Sequence, residues 1–350
     1  MLHENRLKFY EVLEALSNET GIRADILEKD YYVTLLLREL SRLQSCTPVY
    51  FKGGTALYKI SGKMMRFSED IDLTVRTVGL NNSQSKKLLK SVSEKYTSLP
   101  RLCGDLMEEN KKGSITTVYG YDSLYPLQMD SLQRYGKVKV EATSFTVSDP
   151  VSTHVISPLI YQVANGYLKA ELQDVECGMF NIQTISIERI FADKLLAAEF
   201  YLERGLLIDV SKHLYDIVYL MTLPEIQNML LDPRLLIYYL AFKRLEEQAR
   251  IGSDLSDKPL AELAIHTSVQ TELIKSAYDQ MLQIYVFQEK YKISFPTVQE
   301  SFKDLSSILC AVSSREQDFL HSKYFTEFTG QYHSNSNKNI SKLGVFSKNN

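Results

Sequence analysis

Apolar and polar positions in the N-terminal stretch repeat with a helical period. Leu7, Tyr10, Val12 or Leu13 and Leu16 form one apolar stripe, which Gly21 interrupts. A second helix is expected from Asp25 as its cap, with Glu28 as the capping-box partner. It carries Tyr31, Leu35, Leu36 and Leu40 and ends before Cys46-Thr47-Pro48. Val49-Tyr50-Phe51 is an apolar run long enough only for a strand. It meets Gly53-Gly54-Thr55 and then a helical segment from Ala56 to about Lys63. Ile71-Asp72-Leu73-Thr74-Val75 reads as another strand, and residues 81–98 as a polar-faced helix carrying Leu88, Leu89, Val92 and Tyr96. Ser114 to Tyr119 and Lys137 to Thr143 are β-branched runs. In the second, Val138, Val140 and Ala142 alternate with Lys137, Lys139 and Glu141, giving one buried and one polar face.

Strand signals fade after about residue 187. Ile190, Phe191, Leu195 and Leu196 make one helical stripe, and Leu214, Ile217, Val218 and Met221 another; further helices are expected over 233–248, 259–266, 269–287 and 299–312. The pattern predicts an α/β (α+β) fold: a mixed sheet with flanking helices over residues 1–185, then an all-helical domain over 186–330. The tail, Gln331–Asn350, is rich in Ser, Asn and Lys and is expected to be flexible, with Lys338, Lys342 and Lys348 solvated. A chain of 350 residues accommodates two domains of ordinary size.

Composition narrows the class. With 44% hydrophobic and 24% charged residues, the chain is neither a disulfide-scaffold miniprotein, a collagen-like fibre nor wholly disordered. No apolar run approaches the ~18 residues of a membrane span, and no secretory signal precedes the first amphipathic segment, so a cytoplasmic protein without membrane contact is expected. Cys46, Cys103, Cys177 and Cys310 are far apart and lack zinc spacing, as expected of reduced thiols. A formal charge of −3 argues against a surface coated in phosphate-binding residues, although a few Lys and Arg suffice to focus a local field.

Two short stretches carry candidate chemistry. Asp70 and Asp72 stand at i and i+2 on a strand and share a face. Their mutual repulsion is relieved most simply by a divalent cation, and oxygen ligands suit Mg²⁺; a bare Asp-x-Asp is more often a solvated surface pair. Gly53-Gly54 lies between a strand and a helix, where backbone can approach a phosphate closely and the helix N-terminus offers free N–H groups. Thr55 adds a hydroxyl or caps the helix. The order of residues is neither a Walker A loop nor a dinucleotide fingerprint. Coupled to the acidic strand, the glycine pair makes a phosphate-plus-metal site. Glu141 reads equally as a third carboxylate or as part of an alternating-charge strand surface. Residues 188–204 and 210–221 read as a helical hairpin joined through Gly205, in which Lys194 and Asp216 face one cleft; alone, such a pair is more often a rim ion pair worth ~0–1 kcal/mol. His213 and Tyr215 lie in the same segment, where a lone histidine is usually structural and otherwise a substrate contact.

Glu28-Lys29-Asp30-Tyr31-Tyr32-Val33-Thr34, then Phe51-Lys52-Gly53-Gly54-Thr55-Ala56-Leu57, then Arg66-Phe67-Ser68-Glu69-Asp70-Ile71-Asp72-Leu73-Thr74, resemble the AbiEii/AbiGii toxin family of the nucleotidyltransferase superfamily. Two later blocks, Glu188 to Ala197 and Lys212 to Leu220, are similar to that family's lysine and aspartate motifs. The family often has Trp where this chain has Tyr32, and Ser where it has Ala56. The resemblance covers about 28–220, and no motif maps onto 221–350. It implies nucleotide binding by Gly53, Gly54, Thr55, Ser68 and Lys194, metal binding by Asp70, Asp72 and Glu141, and Lys194 and Asp216 as a functional pair. The implied activity is metal-dependent transfer of a nucleotidyl group from a nucleoside triphosphate to an acceptor hydroxyl, with Mg²⁺, or Mn²⁺ as the alternative ion. The implied setting is a type IV toxin–antitoxin or abortive-infection pair acting in phage defence, with RNA such as a tRNA 3′ end as acceptor and a cognate antitoxin as partner. Lys52, Lys59, Lys63, Arg66 and Arg76 are the basic candidates for RNA contact or for the rim of the nucleotide pocket. The rival readings are transfer to a protein or small molecule, and a catalytically idle module that binds nucleotide or a partner. A DNA-binding regulator lacks its helix-turn-helix signal.

Overall fold

The computed structural model describes residues 1–61, 66–125, 136–174, 177–249 and 255–333. Helix α1 (Arg6–Thr20) starts where the Asn5 side chain accepts from the Lys8 N–H, and stops at Gly21, whose φ of +71° few other residues adopt. Its buried stripe is Phe9, Val12, Leu13 and Leu16. Leu7 and Tyr10, expected inside, are exposed, because the buried face is centred on Phe9 and Leu13. Helix α2 (Ala24–Leu43) begins before Asp25. Asp25 instead lies in the first turn, accepting from the Arg23 guanidinium and the Ile26 N–H. Glu28 forms no capping box either; it turns away to accept from the Ser123 hydroxyl and the Leu124 N–H.

The sheet half continues with β1 (Val49–Lys52), α3 (Gly53–Ser61), β2 (Ile71–Val75), α4 (Asn82–Ser93), β3 (Glu109–Lys111), β4 (Ser114–Gly120), β5 (Lys137–Thr143), β6 (Val151–Ile156), α5 (Leu159–Val163), α6 (Gly166–Asp174) and β7 (Phe180–Ile185). The seven strands lie in the order β3-β4-β5-β2-β1-β7-β6. Strands β2 and β5 pair in parallel, as do β1 and β7, while the other neighbours are antiparallel. The hydrophobic pattern predicts neither β3, β6 nor β7. Helix α3 starts at Gly53, so the glycine pair forms its first turn instead of preceding it, and the helix ends at Ser61. Lys63 lies outside the described residues.

After β7 the described chain is helical: α7 (Ile187–Glu203), α8 (Leu207–Leu220), α9 (Pro224–Leu231), α10 (Pro233–Ala249), α11 (Ile265–Ser268), α12 (Glu272–Tyr285), α13 (Phe295–Leu320) and α14 (Lys323–His333). The chain is therefore a mixed α/β sheet with flanking helices followed by a largely helical region. The helix expected over 259–266 is a 3₁₀ turn, Leu260–Glu262, followed by the short α11, and α13 outruns its expected span at both ends. Helix α14 runs past the start of the expected tail; residues 334–350 lie outside the described residues. Ser186 caps α7, accepting from the Arg189 N–H, and Gly205 at φ +68° turns the chain from α7 into α8. No described helix is long and apolar enough to cross a membrane.

One core packs α1 and α2 against the sheet through Leu13, Leu36, Phe51, Leu73 and Val140. A second joins α7, α8, α12 and α13 through Phe191, Leu195, Leu214, Tyr278 and Leu309. Leu57 of α3 belongs to the second core and Ala56 to the first, so α3 is shared between them. The Phe67 N–H donates to the Tyr285 carbonyl at 2.7 Å, tying the segment before β2 to the end of α12.

Candidate active site

Register brings three charged residues into one row. Lys52 on β1 lies opposite Asp72 on β2, and Asp72 opposite Glu141 on β5. Side chains directly across a ladder point to the same face, so the three project together. Asp70 precedes Asp72 by two positions on that face and is ion-paired with Lys139 at 3.0 Å. Burial pushes the Asp72 carboxyl up to about 6, and the charges of Glu141 and Asp70 add to the push against the pull of Lys52 and Lys139. The glycines leave room for this arrangement. A Cβ on Gly53 (φ +83°) would stand 2.2 Å from the Asp72 Oδ2, and one on Gly54 would stand 2.9 Å from both the Arg66 Nη2 and the Ser68 Oγ. The Thr55 hydroxyl donates to the Ser68 Oγ at 2.9 Å, fixing the Ser68 segment to the first turn of α3.

The donor set has the chemistry of a hard-cation site: oxygen ligands on paired strands, with like charges that raise Asp72. Among the described residues, however, no three His, Cys, Asp or Glu side chains converge closely enough to hold a metal ion. Asp70 is turned to Lys139, and Asp72 and Glu141 are the two carboxylates that face each other across neighbouring strands.

Across the cleft, Lys194 of α7 and Asp216 of α8 meet at 2.8 Å. Arg66 grips the same carboxylate with two nitrogens, at 2.6 Å and 2.5 Å. Burial alone would raise the Asp216 carboxyl, but Arg66 and Lys194 overcome it and hold the group well below the usual carboxylate range. Burial lowers the Lys194 ammonium despite Asp216.

The basic residues expected to meet RNA are placed otherwise. Lys59 is fully buried, donating to Asp30 at 2.5 Å, to the Thr34 hydroxyl at 2.7 Å and to the Ser157 carbonyl at 3.2 Å. Arg66 is buried on Asp216, and Arg76 pairs with Asp149. Of the four that are described, Lys52 lines the cleft. A cation taken out of water needs a paired carboxylate, and these partners, Asp30, Asp216 and Asp149, are distant in sequence.

Residues to which the sequence assigns no role complete the cleft. Helix α10 brings Lys243 and Glu246 to its far wall, and α7 adds Asp193. Glu246 is buried, accepting from Arg189 and, at 2.8 Å, from the Val147 N–H, and it pairs with Lys243 at 3.2 Å. Asp193 sits in the block resembling the family's lysine motif, whereas Lys243 and Glu246 carry no local signal. The cleft has a volume of about 170 Å³ and is bounded by Gly53, Gly54, Asp72, Lys194, His213 and Lys243 among others. A larger hollow of about 700 Å³, lined by Phe9, Tyr32, Leu102 and Tyr121, lies away from these groups.

The cleft thus lies between a glycine-started helix, an acidic strand pair and a helical wall that carries Lys194 and Lys243. The family model described as "Nucleotidyl transferase AbiEii toxin, Type IV TA system" matches residues 34–303, and the chain belongs to that family. A stretch of 79 residues is also 33% identical to prefoldin subunit beta of Thermoplasma acidophilum. That similarity covers 22% of this chain and 63% of the prefoldin subunit.

Proposed function

We propose that this chain is a nucleotidyltransferase toxin that moves a nucleotidyl group from a nucleoside triphosphate to an acceptor hydroxyl, with RNA, such as a tRNA 3′ end, as the acceptor and a cognate antitoxin as its partner. The observation that carries the reading is the side-by-side placement of Asp72 and Glu141 next to the Gly53 turn, with Lys194 across a small cleft. Ordinary ligand pockets enclose ~300–1,000 Å³. A cleft of about 170 Å³ therefore takes the phosphate end of a nucleotide and leaves base and ribose at the mouth.

The first-turn N–H groups of α3 receive the phosphates, helped by Lys194 from the opposite wall. Asp72 and Glu141, with Asp70 turned from Lys139, would hold a divalent cation, which when bound would supply charge neutralisation for the transfer. An acceptor hydroxyl oxygen attacks the α-phosphorus, its new P–O bond replacing the bond to the β-phosphate oxygen, and pyrophosphate departs. The hydroxyl proton passes to Asp72 or Glu141. Asp216 positions Lys194 and Arg66, and Ser68 and Thr55 fix the turn.

The test incubates the protein with Mg²⁺, each α-labelled nucleoside triphosphate and, separately, total bacterial RNA or total protein. Label on RNA is expected, and Asp70→Ala and Asp72→Ala are expected to lower transfer by at least ~10²-fold while remaining folded. Label on protein alone would correct the acceptor. Near-wild-type transfer by either variant would overturn the site.

A further inference from the structure

The roles above leave out Lys52. It ends β1, where Phe51 enters the core and Lys52 points to the opposite face, across the ladder from Asp72. The residue is half-buried and lines the cleft with Gly53, Gly54 and Asp72. The charges that act on its ammonium are those of Glu246, Asp72 and Glu141, opposed by Lys243, which places the side chain among the groups of the cleft. Among the described residues, the ammonium makes no hydrogen bond and no ion pair, and its nitrogen is not sealed from solvent. The other cations of the cleft are committed. Lys194 meets Asp216 at 2.8 Å, and Lys243 pairs with Glu246 at 3.2 Å and Glu247 at 2.9 Å. Arg189 holds both Asp193 and Glu246. A partly desolvated cation without a partner is costly, and one that borders an open cleft is placed to meet an anion there.

Resting on the functional reading above, we propose that Lys52 is a substrate-binding residue whose ammonium donates to phosphate oxygens of the bound nucleoside triphosphate, from the sheet side of the cleft and opposite Lys194. The chemistry is matched, since phosphate oxygens only accept and an ammonium only donates. The position is matched too. Lys52 directly precedes Gly53, so its side chain flanks the first turn of α3, where backbone N–H groups face the same ligand. The phosphates of an RNA backbone have the same chemistry, but two observations favour the nucleotide. A cleft of about 170 Å³ admits a short phosphate chain and not a polymer strand. An RNA strand is tracked by several free cations in a groove, whereas Lys59, Arg66 and Arg76 near Lys52 in sequence are already spent on Asp30, Asp216 and Asp149.

The experiment measures, on the full-length chain, calorimetric binding of a nucleoside triphosphate and of inorganic tripolyphosphate, filter binding of total bacterial tRNA, and the melting temperature without ligand. Lys52→Met keeps the length of the side chain and removes its charge. It is expected to weaken triphosphate and tripolyphosphate binding by about tenfold or more, to leave tRNA binding as in wild type, and to leave the melting temperature unchanged or raised, because no ion pair is lost. Lys52→Arg, which restores a cationic donor, is expected to recover part of the affinity. Wild-type affinity of Lys52→Met for tripolyphosphate would overturn the assignment. So would loss of tRNA binding with triphosphate affinity kept, which would give the lysine to the acceptor. A lowered melting temperature with polyphosphate affinity unchanged would make it a counter-charge for Asp72 and Glu141 and overturn the assignment equally. A wild-type protein that binds tripolyphosphate through Lys52 yet labels no acceptor would remove the transferase reading and leave this assignment standing.

Discussion

Gly53 is the residue on which the geometry of the site turns. Its φ of +83° belongs to the left-handed region, and a side chain there would run into the Asp72 carboxylate. Gly53→Ala combines backbone strain of about 1–3 kcal/mol with displacement of a proposed metal ligand, so stability and transfer should fall together. Gly54→Ala differs, because a Cβ there meets the far ends of two side chains, Arg66 Nη2 and Ser68 Oγ, which can shift. Denaturant unfolding of both variants should rank Gly53→Ala as the more damaging. The reverse order would mean that the Asp72 contact is not what the glycine serves. At this scale much was legible: a glycine pair, an i, i+2 acidic pair and a Lys and Asp on neighbouring helices are local patterns. Burial was not legible. Lys59 and Arg66 read as surface cations until Asp30 and Asp216 are found against them.

Among the elements, α2 and α3 are joined by a buried ion pair that explains a motif remote from the cleft. Asp30 of α2 accepts from Lys59 and also from the Leu159 N–H at 2.6 Å, at the entry to α5. Lys59 in turn holds Thr34 and the Ser157 carbonyl. The pair therefore sets the position of α3, whose first turn is the glycine turn. Removing one partner strands a buried charge, and such losses run to ~3–5 kcal/mol. Lys59→Met and Asp30→Leu should each destabilise by that order, and the double variant by less than the sum, measured as a double-mutant cycle in urea. Additive losses would show that the two residues act separately. The same strand and helix neighbourhoods explain what the sequence pattern could not supply. The row Lys52, Asp72, Glu141 depends on β2 pairing in parallel with β5, a long-range choice that no local period encodes. Lys243 and Glu246 reach the cleft because α10 packs on α7, and nothing in their own neighbourhood of sequence marks them. Strands β6 and β7 are recognisable as a sheet edge only once β7 is seen beside β1.

Across the whole molecule, Asp216 ties the sheet half to the helical half. Its carboxylate holds Arg66, from the segment leading into β2, and Lys194 of α7, while Phe67 next to Arg66 is bonded to the end of α12. Opposition between two buried cations is thereby replaced by two attractions. The carboxyl is held below its ordinary value of 3.8, so the folded protein keeps it ionised under acid that protonates the unfolded chain. The stabilisation it contributes is fully present above about pH 3.8 and is lost as the pH falls toward the depressed folded value. Asp216→Asn should therefore be less stable than wild type by ~3–5 kcal/mol near neutrality, and the gap should narrow as the pH falls below about 4. Denaturant unfolding of both proteins across that range reads the difference directly. A gap that stays constant through the acid range would mean the carboxylate is not ionised against Arg66 and Lys194. Lys194→Met in the same series separates the two attractions: because Arg66 still holds Asp216 by two bonds, the acid-sensitive part of the stability should shrink without vanishing.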